Sequence, residues 1–234
     1  KSADASSGLS RQDVGSGDSG KTQGGGEIKR RVYLVTDRRL CHCRPLEEVV
    51  LQAVRGGAAY VQLREKEITT REFIEEAQAI KKILSPYHVP LIVNDRVDVA
   101  LASRAEGVHL GQKDMPYKIA RRLMGEKALI GLSVETWQDV EEAQKYDLDY
   151  IGVSPVFATP TKTDTKKPWG LDGLRRIRSL SRHPLVAIGG INDETAESVV
   201  LAGAKCLAVV SAVCSSDDPE AATRRIKAVI DGII

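Results

Sequence analysis

Several segments of this chain carry residues able to hold a phosphate or a divalent cation, and each follows a short apolar run. Gln62-Leu63-Arg64-Glu65-Lys66 is the most charged of them. Side chains alternate along an extended chain, so Gln62, Arg64 and Lys66 share one face, opposite Leu63. A planar guanidinium and a mobile ammonium on one face suit a diphosphate. A solvated salt-bridge cluster is the plainer use of the same residues.

Asn94-Asp95 and Gly111-Gln112-Lys113-Asp114 place one carboxylate after each of two successive apolar runs. Mg2+ takes one or two carboxylates together with waters and phosphate oxygens, so Asp95 and Asp114 are a sufficient pair. Capping of the next helix is the alternative for Asp95, and also for Ser133, which follows a fifth run. Residues 154–165 are dense in hydroxyls and prolines and contain Lys162, which suits either a lid over an anion or a surface loop. Gly189-Gly190 and Val210-Ser211 follow the last two runs, where close backbone approach and free N–H groups cradle phosphate. His42, His109 and His183 show no nucleophile–base or metal spacing and are read as structural; Glu135 and Trp137 are assigned to a following helix.

Positioning these groups requires a regular frame, and the chain supplies one. Eight short β-branched runs, at 32–35, 59–63, 90–93, 107–110, 129–132, 150–153, 185–188 and 206–210, alternate with amphipathic stretches of helical period. The helices are expected at 46–55, 70–84, 97–104, 117–124, 136–146, 171–180, 193–201 and 219–230, with Thr69 to Glu72 as a capping signal and Gly56-Gly57 and Gly203 as stops. This alternation predicts an α/β fold, a single (β/α)8 TIM barrel over residues 29–234. In such barrels the chemistry sits in the loops after the strands, where every segment named above falls.

Residues 1–28 are rich in Gly, Ser and Asp with few large apolar side chains, which predicts a disordered tail. The missing initiator Met is consistent with a fragment or a processed product. Of 234 residues, 42% are hydrophobic and only 4% aromatic, so the core is aliphatic. With 34 Lys and Arg against 32 Asp and Glu there is no single-sign field to capture nucleic acid or a membrane surface. Four cysteines in two far-separated pairs, Cys41 with Cys43 and Cys206 with Cys214, no signal peptide and no long apolar span predict a soluble, cytoplasmic protein with reduced thiols. Cys41-His42-Cys43 has no second ligand pair at zinc-site spacing.

From Val32 to the C-terminus the chain resembles the thiamine phosphate synthase family. The resemblance rests on Tyr33 to Asp37, Gln62 to Lys66, Val93-Asn94-Asp95, Gly107 to Asp114, Thr159 to Lys162 and Ile188 to Ile191. It implies coupling of 4-amino-2-methyl-5-(diphosphooxymethyl)pyrimidine to a thiazole phosphate, or its 2-carboxy form, with release of pyrophosphate. It also implies Mg2+ on Asp95 and Asp114. Gln62, Arg64, Lys66 and Asn94, with Glu65 in the same segment, are implied to hold the pyrimidine diphosphate. Ser133 and Lys162 are implied on the diphosphate, with Arg64 beside them as the catalytic set, Thr159 and Thr161 at the thiazole, and Gly190, Val210 and Ser211 at its phosphate. A homodimer is expected by the same analogy. Glu135 departs from the His common in relatives and is given no role. A related thiazole tautomerase, or a silent barrel that senses a phosphorylated metabolite, remain as alternatives; retention of both Asp and of the cations favours the synthase.

Overall fold

The computed structural model describes residues 31–159 and 167–233, so the expected tail and the candidates Thr161 and Lys162 lie outside the described residues. Alternation along the first strand, β1 (Arg31–Val35), already sorts the core into two layers: Val32 and Leu34 pack outward, Tyr33 and Val35 inward. Seven further strands repeat this: β2 (Ala58–Leu63), β3 (Leu91–Asn94), β4 (Gly107–Leu110), β5 (Leu129–Val134), β6 (Tyr150–Val153), β7 (Leu185–Ile188) and β8 (Cys206–Val209). All pair in parallel in sequence order, and β8 returns to β1 to close the barrel. The expected TIM barrel is therefore the observed fold.

Around it lie α1 (Leu46–Arg55), α2 (Thr70–Leu84), α3 (Val97–Ser103), α4 (Tyr117–Met124), α5 (Trp137–Ala143), α6 (Gly170–Leu180), α7 (Asp193–Leu201), α8 (Ser211–Cys214) and α9 (Pro219–Asp231). Their apolar stripes cover the outer faces of the strands in one aliphatic cluster. The interior of the barrel holds a second, smaller cluster built on Tyr33, Val35, Ile92, Tyr150, Val186, Cys206 and Ala208. Thr69 forms the expected capping box with Glu72 at the start of α2. Gly57 and Gly203 follow α1 and α7 with φ of 104° and 111°, a conformation that favours glycine.

Four boundaries differ from expectation in ways that matter for the site. β3 runs one residue further, so Asn94 is the last strand residue and is buried. β5 continues to Val134, so Ser133 lies within the strand, paired with Gly152 of β6, and Thr136 caps α5 instead. β8 stops at Val209, because Val210 takes φ −120°, ψ −83° and starts the one-turn helix α8, too short to leave a periodic signal. The fifth helix ends at Ala143, three residues before the expected 146. All four cysteines are free thiols. No helix among the described residues is long and apolar enough to cross a membrane.

Candidate active site

A cavity of about 470 Å³ opens at the C-terminal end of the strands, a size that suits a small organic substrate. It gathers Gln62, Arg64, Lys66, Asn94, Asp95, Asp114 and Ser133 from β2, β3, β4, β5 and the loops that follow them. Residues distant in sequence thus converge because parallel strands all end at the same rim.

The floor is a line of hydrogen bonds. The Gln62 Nε2 amide donates to the Tyr33 hydroxyl at 3.0 Å. The Tyr33 and Tyr150 hydroxyls lie 2.9 Å apart, Tyr150 Oη is 2.9 Å from His109 Nδ1, and His109 Nε2 is 2.8 Å from Ser133 Oγ. Two glycines make room for these rings: a Cβ on Gly131 would stand 2.0 Å from Tyr150 Cζ, and one on Gly152 2.9 Å from His109 Cε1. Burial pushes the Tyr33 and Tyr150 phenols well above their ordinary range, so both keep their protons. His109, expected to be structural, is thus a cavity residue. Its signal was the strand alternation that buries Val108 and Leu110 outward and turns the imidazole inward.

The rim is charged. Arg64 Nη1 lies 3.4 Å from Asp37 Oδ2, and its backbone N–H donates to Thr36 Oγ1 at 3.0 Å, which fixes the turn after β2. Lys66 pairs with Asp95, whose φ is 62°; α3 has Arg96 at its N-cap and no side-chain cap bond, so the capping alternative for Asp95 is not the one used. The Asp114 carboxylate accepts from the Gly111 N–H at 2.6 Å. Burial and the neighbouring Asp95 push the Asp114 carboxyl above its ordinary range. Burial also opposes ionisation of Asp95, but Lys66 and a hydrogen bond from Asp114 outweigh it and hold Asp95 below that range. Two neighbouring carboxylates form a donor set that a divalent cation can occupy. Among the described residues no group of three or more His, Cys, Asp or Glu gathers at metal-binding range, so a cation here would complete its shell with water and phosphate. Lys113, Gln112 and Glu135 also line the cavity; Glu135 sits before α5 rather than in it.

Glu65 does not join this group. Alternation turns it away from the cavity, where Arg38 Nε lies 3.3 Å from its Oε1 and Arg38 also bonds Glu76 of α2. Burial first, and the nearby Glu76 second, push its carboxyl up to about 7. A raised carboxyl pKa means that the folded state holds a proton that the unfolded chain gives up near the ordinary value of 4.5. Stability therefore falls as pH rises from that value through 7, and the loss is complete above it. We expect Glu65→Gln to stabilise the protein by roughly 1–2 kcal/mol at pH 8 and hardly at all near pH 4. Thermal unfolding at the two pH values checks this, and unchanged substrate affinity would set Glu65 apart from the binding residues.

The remaining candidates stand around the mouth. Thr159, half-buried at the edge of the described segment, and exposed Gly190 and Ser211 are not among the residues lining the cavity. Val210 and Ile188 pack against the interior cluster that forms the cavity wall. Gly189 and Gly190 have φ of 103° and 66°, and a Cβ on Gly190 would meet Phe157 Cβ at 2.8 Å, so the turn after β7 admits only glycine. The ends of the long loop after β6 are tied together, since the Trp169 and Gly170 N–H groups donate to the Pro155 and Val156 carbonyls at 2.9 Å. Trp169 packs edge-on to Trp137 of α5, with ring centroids 4.8 Å apart.

A parallel barrel whose strand ends bring Arg64, Lys66 and Lys113 together with the carboxylates of Asp95 and Asp114 in one cavity has the make-up of a (β/α)8-barrel enzyme. The family model described as thiamine monophosphate synthase matches residues 32–213. The chain belongs to that family, and it is a transferase of thiamine biosynthesis. It is 54% identical over 203 residues to a thiamine-phosphate synthase of Albidiferax ferrireducens, covering 87% of this chain and 93% of that one. It is 56% identical over 196 residues to the same enzyme of Leptospira biflexa, covering 82% and 93%. Among solved structures it resembles thiamine phosphate pyrophosphorylase from Pyrococcus furiosus, with a TM-score of 0.81, 38% identity, and coverage of 89% of this chain and 98% of that one.

Proposed function

We propose that the cavity joins 4-amino-2-methyl-5-(diphosphooxymethyl)pyrimidine to a thiazole phosphate, giving thiamine phosphate and pyrophosphate. The observation that carries the reading is the rim itself: Arg64, Lys66, Asp95 and Asp114 line one cavity with Gln62, Asn94 and Ser133, and Lys66 pairs with Asp95. Arg64, Lys66 and Ser133 hold the diphosphate. Asp95 and Asp114 would hold Mg2+, which when bound supplies positive charge for the departing pyrophosphate. The C–O bond of the pyrimidine methylene breaks with its electron pair on pyrophosphate, and the electron-rich aminopyrimidine carries the resulting cation. The thiazole nitrogen then donates its lone pair to the methylene carbon. This dissociative order needs no protein nucleophile, only held charges and excluded water.

Gly190, Val210 and Ser211 receive the thiazole phosphate at the turns after β7 and β8, the usual phosphate cradle of this fold. Thr159 and Thr161 would serve the thiazole, and Lys162, with Ser133, the diphosphate; the same reading covers the 2-carboxy thiazole, whose carboxylate must leave as CO2 to give thiamine phosphate. The enzyme acts on small phosphorylated substrates in the cytoplasm without a nucleic-acid or membrane partner, and it pairs as a homodimer by family analogy.

Pyrophosphate release tests this directly. Release that requires both substrates and stops on EDTA treatment, returning with added Mg2+, is the expected result. No release from folded protein that binds thiazole phosphate would overturn it in favour of a tautomerase or a sensor.

A further inference from the structure

The line of hydrogen bonds under the cavity has a direction. An amide nitrogen only donates, so Gln62 Nε2–H occupies a lone pair of the Tyr33 hydroxyl. The phenols, kept protonated by burial, have one hydrogen each. If Tyr33 donates to Tyr150 and Tyr150 donates to His109 Nδ1, every donor in the line meets an acceptor. In the reverse direction the buried Tyr33 oxygen takes two donors, and its own hydrogen has no acceptor in the line, a costly arrangement away from water. The forward direction makes Nδ1 the acceptor and leaves the imidazole proton on Nε2, where it donates to Ser133 Oγ at 2.8 Å. The Ser133 hydroxyl hydrogen then has to point elsewhere, and the open side is the cavity.

We propose that Tyr150 is a positioning residue: by donating to His109 Nδ1 it fixes the Nε2–H tautomer and thereby makes Ser133 a hydrogen-bond donor to the anionic group of the substrate. This rests on the reading above that Ser133 meets the diphosphate. A serine that donated to His109 would present a lone pair to an anion; a serine whose lone pair is taken by His109 presents a hydrogen. Gly131 and Gly152 are consistent with a built device, since each is the absence of a side chain that would collide with Tyr150 or His109. Tyr150 itself is fully buried and two hydrogen bonds removed from Ser133, so its hydroxyl acts through the line rather than on the diphosphate.

The tautomer is read without turnover. In protein labelled with 15N in its four histidines, the His109 signals, identified by their loss in His109→Asn, should show an unprotonated Nδ1 and a protonated Nε2. Tyr150→Phe should give a mixture of tautomers. Wild type with the proton on Nδ1 would overturn the proposal whatever the activity. In the pyrophosphate assay Tyr150→Phe should lower kcat on the order of tenfold with KM within about twofold. Added to Ser133→Ala it should cost almost nothing more, whereas full additivity of the two would show that Tyr150 does not act through Ser133. If Tyr150→Phe does not fold, the wild-type tautomer still decides; Tyr33→Phe, which leaves Tyr150 its hydrogen and His109 Nδ1 as the acceptor, should keep the proton on Nε2, and a proton on Nδ1 there would overturn the proposal. A wild type with the Nε2–H tautomer but no pyrophosphate release would refute the proposed reaction while leaving the direction of the line intact.

Discussion

Asp114→Asn is expected to lose at least about 100-fold in kcat/KM for pyrophosphate release, the scale on which removal of transition-state charge stabilisation is felt. The amide oxygen can still accept from Gly111 N–H, the bond that the carboxylate makes at 2.6 Å, so the loop keeps its shape and only the charge is lost. Mn2+ binding followed by its paramagnetic signal should weaken in parallel. The same variant should melt at a higher temperature than wild type in metal-free buffer at neutral pH. Burial and Asp95 raise the Asp114 carboxyl, so holding it ionised destabilises the folded state above the ordinary carboxylate range, and a neutral isostere removes that strain. Wild-type activity in Asp114→Asn would remove Asp114 from the metal site. A lower melting temperature in metal-free buffer would mean that its charge is compensated better than its surroundings indicate.

Gly131→Ala should damage the barrel interior strongly. Its Cβ would stand 2.0 Å from Tyr150 Cζ and 2.4 Å from the hydroxyl, and Tyr150 is enclosed in the interior cluster with no measurable exposure. The backbone of a central strand cannot retreat, so the ring must leave its place between Tyr33 and His109. Overpacking of this kind costs about 3 kcal/mol, which lowers Tm by roughly 5–10 °C in a domain of this size. Gly152→Ala should be milder, because its nearest neighbour, His109 Cε1, is 2.9 Å away. Calorimetry on the two variants decides the order. Equal stability of Gly131→Ala and wild type would mean that Tyr150 can swing aside, which would also weaken the case for a fixed hydrogen-bond line.

Much of the site was legible because alternation in a strand is a local rule. Gln62, Arg64 and Lys66 could be put on one face from their spacing, and they share the cavity. Asp95 and Asp114 could be placed at neighbouring strand ends from the repeat alone, and the structure brings their carboxylates close enough to perturb one another. Glu65 shows the same rule from the other side. It belongs to the resembling segment, yet alternation turns it to Arg38 and Glu76, and only the partner helix α2 shows why it is buried there.

The sequence by itself determined the eightfold alternation, the order of the strands and the rim residues, because periodicity of two and of 3.6 is written in neighbouring residues. The tertiary structure alone decided the floor. Tyr33, Gln62, His109, Ser133 and Tyr150 come from five different strands and touch only once the barrel has closed. No local pattern marks a tyrosine that will meet a histidine 41 positions away, or a glycine kept bare for the ring of the next strand. Those contacts are set by the register in which parallel strands pair, and register is a property of the closed sheet.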